Sequence, residues 1–142
     1  MSAQIPEAFQ LFVYGTLKPG GGAFKRFCEP YVTAIEPAVA PGRLYHLPLG
    51  YPAMTLEPGW VQGMRLTFSS LAVLDQLDEF EAHYPDRPEQ SEYQRISHAI
   101  YRPDRRVAPP AWVYIMLPPQ VTALGGKWLP DGNWSVGVTD LP

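Results

Sequence analysis

The chain is poor in the residues that many site chemistries require. Its 142 residues hold one cysteine and three histidines. With Cys28 alone, no intrachain disulfide can form, and a reducing compartment fits. Cys28 also lacks an activating context, which makes it a small buried hydrophobe rather than a nucleophile. His46, His83 and His98 have no metal-ligand spacing, no His-Glu-x-x-His pair exists, and they read as strand or solvent-facing side chains, so no metal site is expected. There is no Gly-x-Ser-x-Gly elbow for a serine nucleophile. A formal net charge of −3 without any basic run argues against a nucleic-acid partner. No segment approaches ~18 apolar residues, and residues 1–10 carry neither a basic residue nor a signal-like apolar core. The expectation is a cytoplasmic protein without membrane segments, its oligomeric state left open.

Proline and glycine, in contrast, are plentiful, at 17 and 12 residues. Together with many aromatic and β-branched residues they favour short strands joined by turns, a mostly β chain with some helix. The length fits a single domain over residues 1–142, large enough to bury a core without staples, with the core expected at about 10–117.

Along the chain, the first strand is predicted over 10–14 and a short helix over 23–28. Residues 31–47 alternate apolar and polar with prolines interrupting, which reads as two strands or one strongly bent one. Gly50-Tyr51-Pro52 predicts a turn into a short strand, and Pro58-Gly59 predicts a second turn. Residues 61–68 place Met64, Leu66 and Phe68 on one face of a half-buried strand. Ser69 and Ser70 offer N-caps for a helix over 71–82. An exposed loop follows over 85–91, then strands over 93–101 and 111–117 joined by a basic, proline-rich turn over 102–110. Beyond Pro118 the region reads as irregular, with a disordered tail after Trp134. The four tryptophans read as core or turn packing.

Two stretches carry chemistry. Leu-Phe-Val-Tyr at 11–14 stops at Gly15, as a buried strand does on entering a loop. Gly15 permits positive φ and leaves room above it, so the amides of Thr16, Leu17 and Lys18 are candidates for a cradle around a carboxylate or oxyanion. The alternative is a plain strand and flexible turn. A P-loop is excluded, because Gly21 and Gly22 stand where its lysine and hydroxyl belong and Pro19 removes an amide from the nest.

The second stretch is the helix over 71–82. On a helical wheel Leu71, Val73, Leu74 and Leu77 share one face, with Asp75 and Glu79 opposite. Glu81, four residues after Leu77, falls inside the apolar stripe. A carboxyl aimed at the interior has a raised pKa unless a cation compensates, which suits a general base. The competing outcomes are that Glu81 ends the helix and turns to water, or pairs with Arg95 or Lys18. Asp78 with Glu81 does not suit glycoside chemistry, since i,i+3 neighbours would not straddle a sugar.

Phe-Val-Tyr-Gly-Thr-Leu-Lys at 12–18, Gly-Tyr-Pro-Ala-Met at 50–54, Val-Gln-Gly-Met at 61–64, Leu-Asp-Glu-Phe-Glu at 77–81 and Tyr-Gln-Arg at 93–95 occur in one order. This ordered set resembles the gamma-glutamylcyclotransferase-like family, in the branch with gamma-glutamylamine cyclotransferase and the AIG2-like proteins. Asp-Gly-Asn-Trp at 131–134 is similar to a Gly-Asp-Trp close in bacterial members. The resemblance implies an α+β fold, a mixed β-barrel with a few short helices. It implies that Glu81 is the catalytic glutamate and that Tyr14, Gly15, Thr16 and Leu17 hold a small γ-glutamyl substrate. The implied reaction closes the γ-glutamyl group to 5-oxoproline and releases an amine, and it requires no water, metal or cofactor. Thr16-Leu17-Lys18-Pro19 points away from glutathione, whose specific relatives favour Tyr-Gly-Ser-Leu. Ala82 replaces a glycine common after the glutamate, and the segment to Tyr93 is longer than in compact relatives. The rival reading is a barrel kept as a non-catalytic small-molecule or protein-binding module.

Overall fold

Alternating burial along the first strand sets the architecture. Phe9, Leu11 and Val13 join one apolar cluster with Val73, Leu74 and Leu77, while Phe12 and Tyr14 join another with Leu44, Met54, Val61 and Trp134. A strand buried on both faces is a central strand, and its side chains alternate between the two clusters because the pleat has a period of two.

The computed structural model describes residues 8–20, 22–82 and 92–134. The elements run β1 (Phe9–Val13), α1 (Gly22–Phe27), β2 (Val32–His46), β3 (Pro52–Phe68), α2 (Ala72–Phe80), β4 (Gln94–Tyr101), β5 (Val107–Ile115), α3 (Pro118–Ala123) and β6 (Lys127–Trp128). The sheet order is β3-β1-β5-β4-β2-β6, and a further β2–β3 pairing closes it into a ring. β1 and β5 are parallel, paired at Leu11 and Trp112, and the other pairings are antiparallel. This is the expected mixed α+β architecture. Among the described residues no helix is long and apolar enough to cross a membrane.

The stretch over 31–47 is one long strand with register shifts between Val32 and Ala34 and between Pro41 and Arg43. The expected turn at Pro58-Gly59 is corrected: it lies inside β3, a single 17-residue strand. Between Pro41 and Arg43 the partner strand advances from Trp60 to Thr55, so β3 bulges outward there. Gly59 serves the close approach, since a Cβ on it would lie 2.7 Å from the Gly42 carbonyl oxygen. The predicted turn at Gly50 is present, with the Gly50 amide donating to the Leu47 carbonyl at 2.9 Å.

The basic turn is shorter than expected, because β5 begins at Val107 and takes Pro109 and Pro110 into an exposed stretch of strand. The region after Pro118 is corrected from irregular to a helix and a short strand. Pro118 and Pro119 occupy the first helical turn, where a missing N–H costs nothing. Packing continues to Trp134, whose indole is buried and donates from Nε1 to His46 Nδ1 at 3.0 Å. Trp60 and Trp128 are exposed. The predicted loop over 85–91 and the tail after Trp134 lie outside the described residues.

Candidate functional site

The chain leaves the sheet after Val13, which pairs with Met64. The exit is tight. A Cβ on Gly15 would lie 2.4 Å from Cγ of Pro52, so glycine is required for space. Its φ is not positive, which corrects the conformational reason expected for it. The Lys18 amide donates to the Gly15 carbonyl at 2.9 Å and closes a turn, so it is not part of a cradle. No acceptor for the amides of Thr16 and Leu17 is found among the described residues. Lys18 Nζ donates to the Trp134 carbonyl, tying the loop to the far end of the chain. Burial lowers the Lys18 pKa.

Helix α2 buries Val73, Leu74 and Leu77 and exposes Asp75 and Glu79, as the wheel predicts, but it starts at Ala72, and exposed Leu71, rather than Ser69 or Ser70, holds the N-cap position with no side-chain cap. The Ser70 hydroxyl accepts from the Ala72 amide at 3.2 Å. The helix ends at Phe80, earlier than the predicted Ala82, and Glu81 occupies the C-cap position with its amide on the Leu77 carbonyl at 2.9 Å. Ala82 then adopts φ 54°, in the left-handed region. The last helical turn therefore still governs where Glu81 points.

The Glu81 side chain lines a cavity of about 310 Å³. Glu81 as a residue is partly accessible, because that cavity is open, yet protein surrounds its carboxyl on most sides. That burial, with the Glu92 charge second, pushes its pKa up from the usual 4.5 to about 8. No hydrogen bond or ion pair to its carboxyl is found among the described residues. The two cations considered as partners are engaged elsewhere: Lys18 on Trp134, and Arg95 on Asp78 by bonds of 2.7 and 3.0 Å.

Tyr14, Gly15, Thr16 and Leu17 line the same cavity, so the structure brings together all five residues singled out for the site. Sequence reasoning assigned no role to Tyr51, Pro52, Glu92, Tyr93 and Tyr114, which line it too. Two signals were present: Tyr51-Pro52 and Tyr93 belong to motifs of the ordered set, and Glu92 directly precedes one of them.

The cavity wall is held by its own hydrogen bonds. The Tyr14 hydroxyl donates to the Tyr114 carbonyl at 2.6 Å, and Tyr93 donates to the Pro52 carbonyl at 2.7 Å. Tyr51 donates to Glu92 Oε2, and Tyr114 donates to Asp78 Oδ1 at 2.8 Å, where Arg95 also binds. Burial is the first cause that raises the pKa of all four phenols, that of Tyr51 to about 12, so each stays neutral near neutral pH.

The remaining candidates lie elsewhere. Cys28 is fully buried, and that burial, with the Glu81 charge second, pushes its thiol up to about 12. His98 Nε2 lies 2.8 Å from the Pro41 carbonyl oxygen, and His83 falls outside the described residues. Among the described residues no three His, Cys, Asp or Glu side chains are grouped as metal ligands.

No match was found among curated proteins. Solved structures are similar in fold. An AIG2-like protein from Mus musculus aligns with a TM-score of 0.68 at 20% identity, over 91% of this chain and 89% of that one. YkqA from Bacillus subtilis aligns with a TM-score of 0.63 at 19% identity, over 89% of this chain, which spans only 39% of YkqA. A gamma-glutamyl cyclotransferase aligns with a TM-score of 0.54 at 18% identity, over 78% of this chain and 67% of that one. The sequence model of one family matches residues 11–136, nearly the whole chain. On that match the protein belongs to the family described as gamma-glutamyl cyclotransferase, AIG2-like.

Proposed function

We propose that the protein is a cyclotransferase that closes the γ-glutamyl group of a γ-glutamyl amine or peptide to 5-oxoproline and releases the amine. Family and fold suggest cyclotransferase-type activity. One observation carries the finer reading: an unpartnered, interior Glu81 carboxyl shares a cavity with the loop whose Thr16 and Leu17 amides lack acceptors among the described residues.

In this reading the α-carboxylate of the substrate, or the oxyanion formed from its γ-carbonyl, lies against those amides. Glu81 takes a proton from the α-ammonium. The freed amine attacks the γ-carbonyl carbon, a five-membered lactam forms, and the bond to the leaving amine breaks. Glu81 returns the proton to that amine, so no water is consumed. The incoming ammonium itself favours ionised Glu81 by charge, which lowers its pKa from about 8 toward the working range. Curling the substrate in the cavity makes use of effective molarities on the order of 10⁵ M or more.

Glu81→Gln keeps the shape and removes the base. Release of 5-oxoproline from γ-glutamyl compounds should fall roughly 10²-fold or more. Undiminished turnover by the variant would refute the assignment. Saturable ligand binding by the wild type with no 5-oxoproline from a broad γ-glutamyl panel would favour the binding-module reading instead.

A further inference from the structure

Apolar packing alone leaves a helix free to slide and turn on its support, because burial has no preferred direction. Helix α2 buries Val73, Leu74 and Leu77 in that way. Asp78 adds direction. It stands four residues after Leu74, so it leaves the helix on the buried side, and its side chain is only 13% exposed. Two donors meet it there. Arg95 and Tyr114 are directly opposite one another on β4 and β5, so both side chains leave one face of the sheet. The Arg95 guanidinium reaches the two carboxyl oxygens at 2.7 and 3.0 Å, and the Tyr114 hydroxyl donates to Oδ1 at 2.8 Å. The guanidinium also lies 4.3 Å from the centre of the Trp112 ring. A two-pronged bond of this kind fixes angle as well as distance.

The grip lies one helical turn before Glu81, about 4.5 Å along the axis. Asp78 and Arg95 do not line the cavity, so they act on it through what they hold. Tyr114 joins the two sides of the site. Its side chain lines the cavity, its hydroxyl holds Asp78 on α2, and its carbonyl accepts the Tyr14 proton at 2.6 Å from the loop side. The helix end that carries Glu81 and the loop that starts at Tyr14 are thus both referred to one residue of β5.

We infer that Asp78, gripped by Arg95 and Tyr114, is a positioning residue: it fixes the end of α2 so that the Glu81 carboxyl stands inside the cavity, facing the Tyr14–Leu17 loop. The kinetic part of the test rests on the cyclotransferase reading above. The placement of the carboxyl can be read without it.

Removing one charge of a buried pair threatens the fold, so the test uses two substitutions that leave net charge unchanged. Arg95→Lys loses the fork, and Tyr114→Phe loses the hydroxyl while keeping the ring and the carbonyl that holds Tyr14. In Arg95→Lys, kcat for 5-oxoproline release per folded molecule should fall about tenfold or more, with KM within about twofold of wild type, because α2 does not carry the loop assigned to the substrate. Tyr114→Phe should show the same split with a smaller loss. In both, the Glu81 carboxyl, followed by carbon NMR and assigned through Glu81→Gln, should titrate below the wild-type value of about 8, since it exchanges protein for water while no charge has changed. An unchanged kcat with a lower melting midpoint overturns the inference, because the pair then serves the fold alone. So does a loss carried by KM, or a Glu81 titration that stays where it was. If Arg95→Lys fails to fold, Tyr114→Phe decides by the same readings. If wild type releases no 5-oxoproline from any γ-glutamyl compound, the proposed reaction falls, and the Glu81 titration in the two variants decides the positioning role.

Discussion

The Glu81 amide remains bonded to the Leu77 carbonyl at 2.9 Å although the helix has ended one residue earlier. Leu77 is fully buried, so the turn that anchors the helix also aims the carboxyl that follows it. Aim and anchorage share one hydrogen bond.

The raised pKa of Glu81 links stability to pH. Its ordinary value is 4.5 and its folded value about 8, so the folded state binds the extra proton between them. The resulting stabilisation is fully present below the ordinary value and is lost as pH rises through about 8. Glu81→Gln, always neutral, should gain stability relative to wild type between pH 4 and pH 9, on the order of a few kcal/mol. Urea melts at both ends of that window check it. A difference between the two proteins that does not change with pH counts against an interior carboxyl.

Activity should follow the opposite limb. If free Glu81 is the base, wild-type kcat/KM rises with pH and levels off above about 8. A profile that is flat from pH 6 to 9 would assign the proton transfer elsewhere.

Gly15 admits no side chain. In Gly15→Ala the new Cβ meets the Pro52 ring at 2.4 Å, and a proline ring cannot swing away. The variant should lose roughly 1–3 kcal/mol, read by urea melts. It should also lose 5-oxoproline release beyond any loss of folded protein, because the loop is displaced from the cavity.

Ala82 works in reverse. At φ 54° an alanine is strained by about 1 kcal/mol or more. Ala82→Gly relieves that strain but adds unfolded-state entropy, leaving a net gain of roughly 0.5 kcal/mol. A thermal melt reads the change, and a lower midpoint would contradict the backbone argument.

Trp134→Ala should cost roughly 3–5 kcal/mol, since the buried indole leaves a cavity and an unpaired His46 nitrogen. Trp134→Phe should cost less, keeping most of the packing. Urea melts of both variants rank the two losses.

What the sequence disclosed follows the range of each interaction. Glu81 was legible because its placement depends on Leu77, one helical turn away. The exit at Gly15 was legible because an apolar run stops there. Glu92 was not, since its place in the cavity wall depends on Tyr51, 41 positions distant, which the fold brings beside it. Pro58-Gly59 carries turn chemistry locally, yet cross-strand pairing with β2 absorbs it as a bulge. The helix at Pro118 was hidden by its own two prolines, which look like breakers until they fall in a first turn. The tyrosine bonds were invisible for the same reason as Glu92: two of their acceptors are main-chain carbonyls on other strands.

The tether between Lys18 and Trp134 spans 116 positions. On a ribosome the loop is made long before its clamp exists, and contacts of such separation form late, after the intervening chain has found its place. Every strand can be laid down while the mouth of the pocket still lacks its fastening. A nascent chain stopped short of Trp134 would lack both the acceptor that holds Lys18 and an indole buried among Leu44, Met54 and Val61, so the loop beside the pocket and the core behind it are completed by one and the same residue.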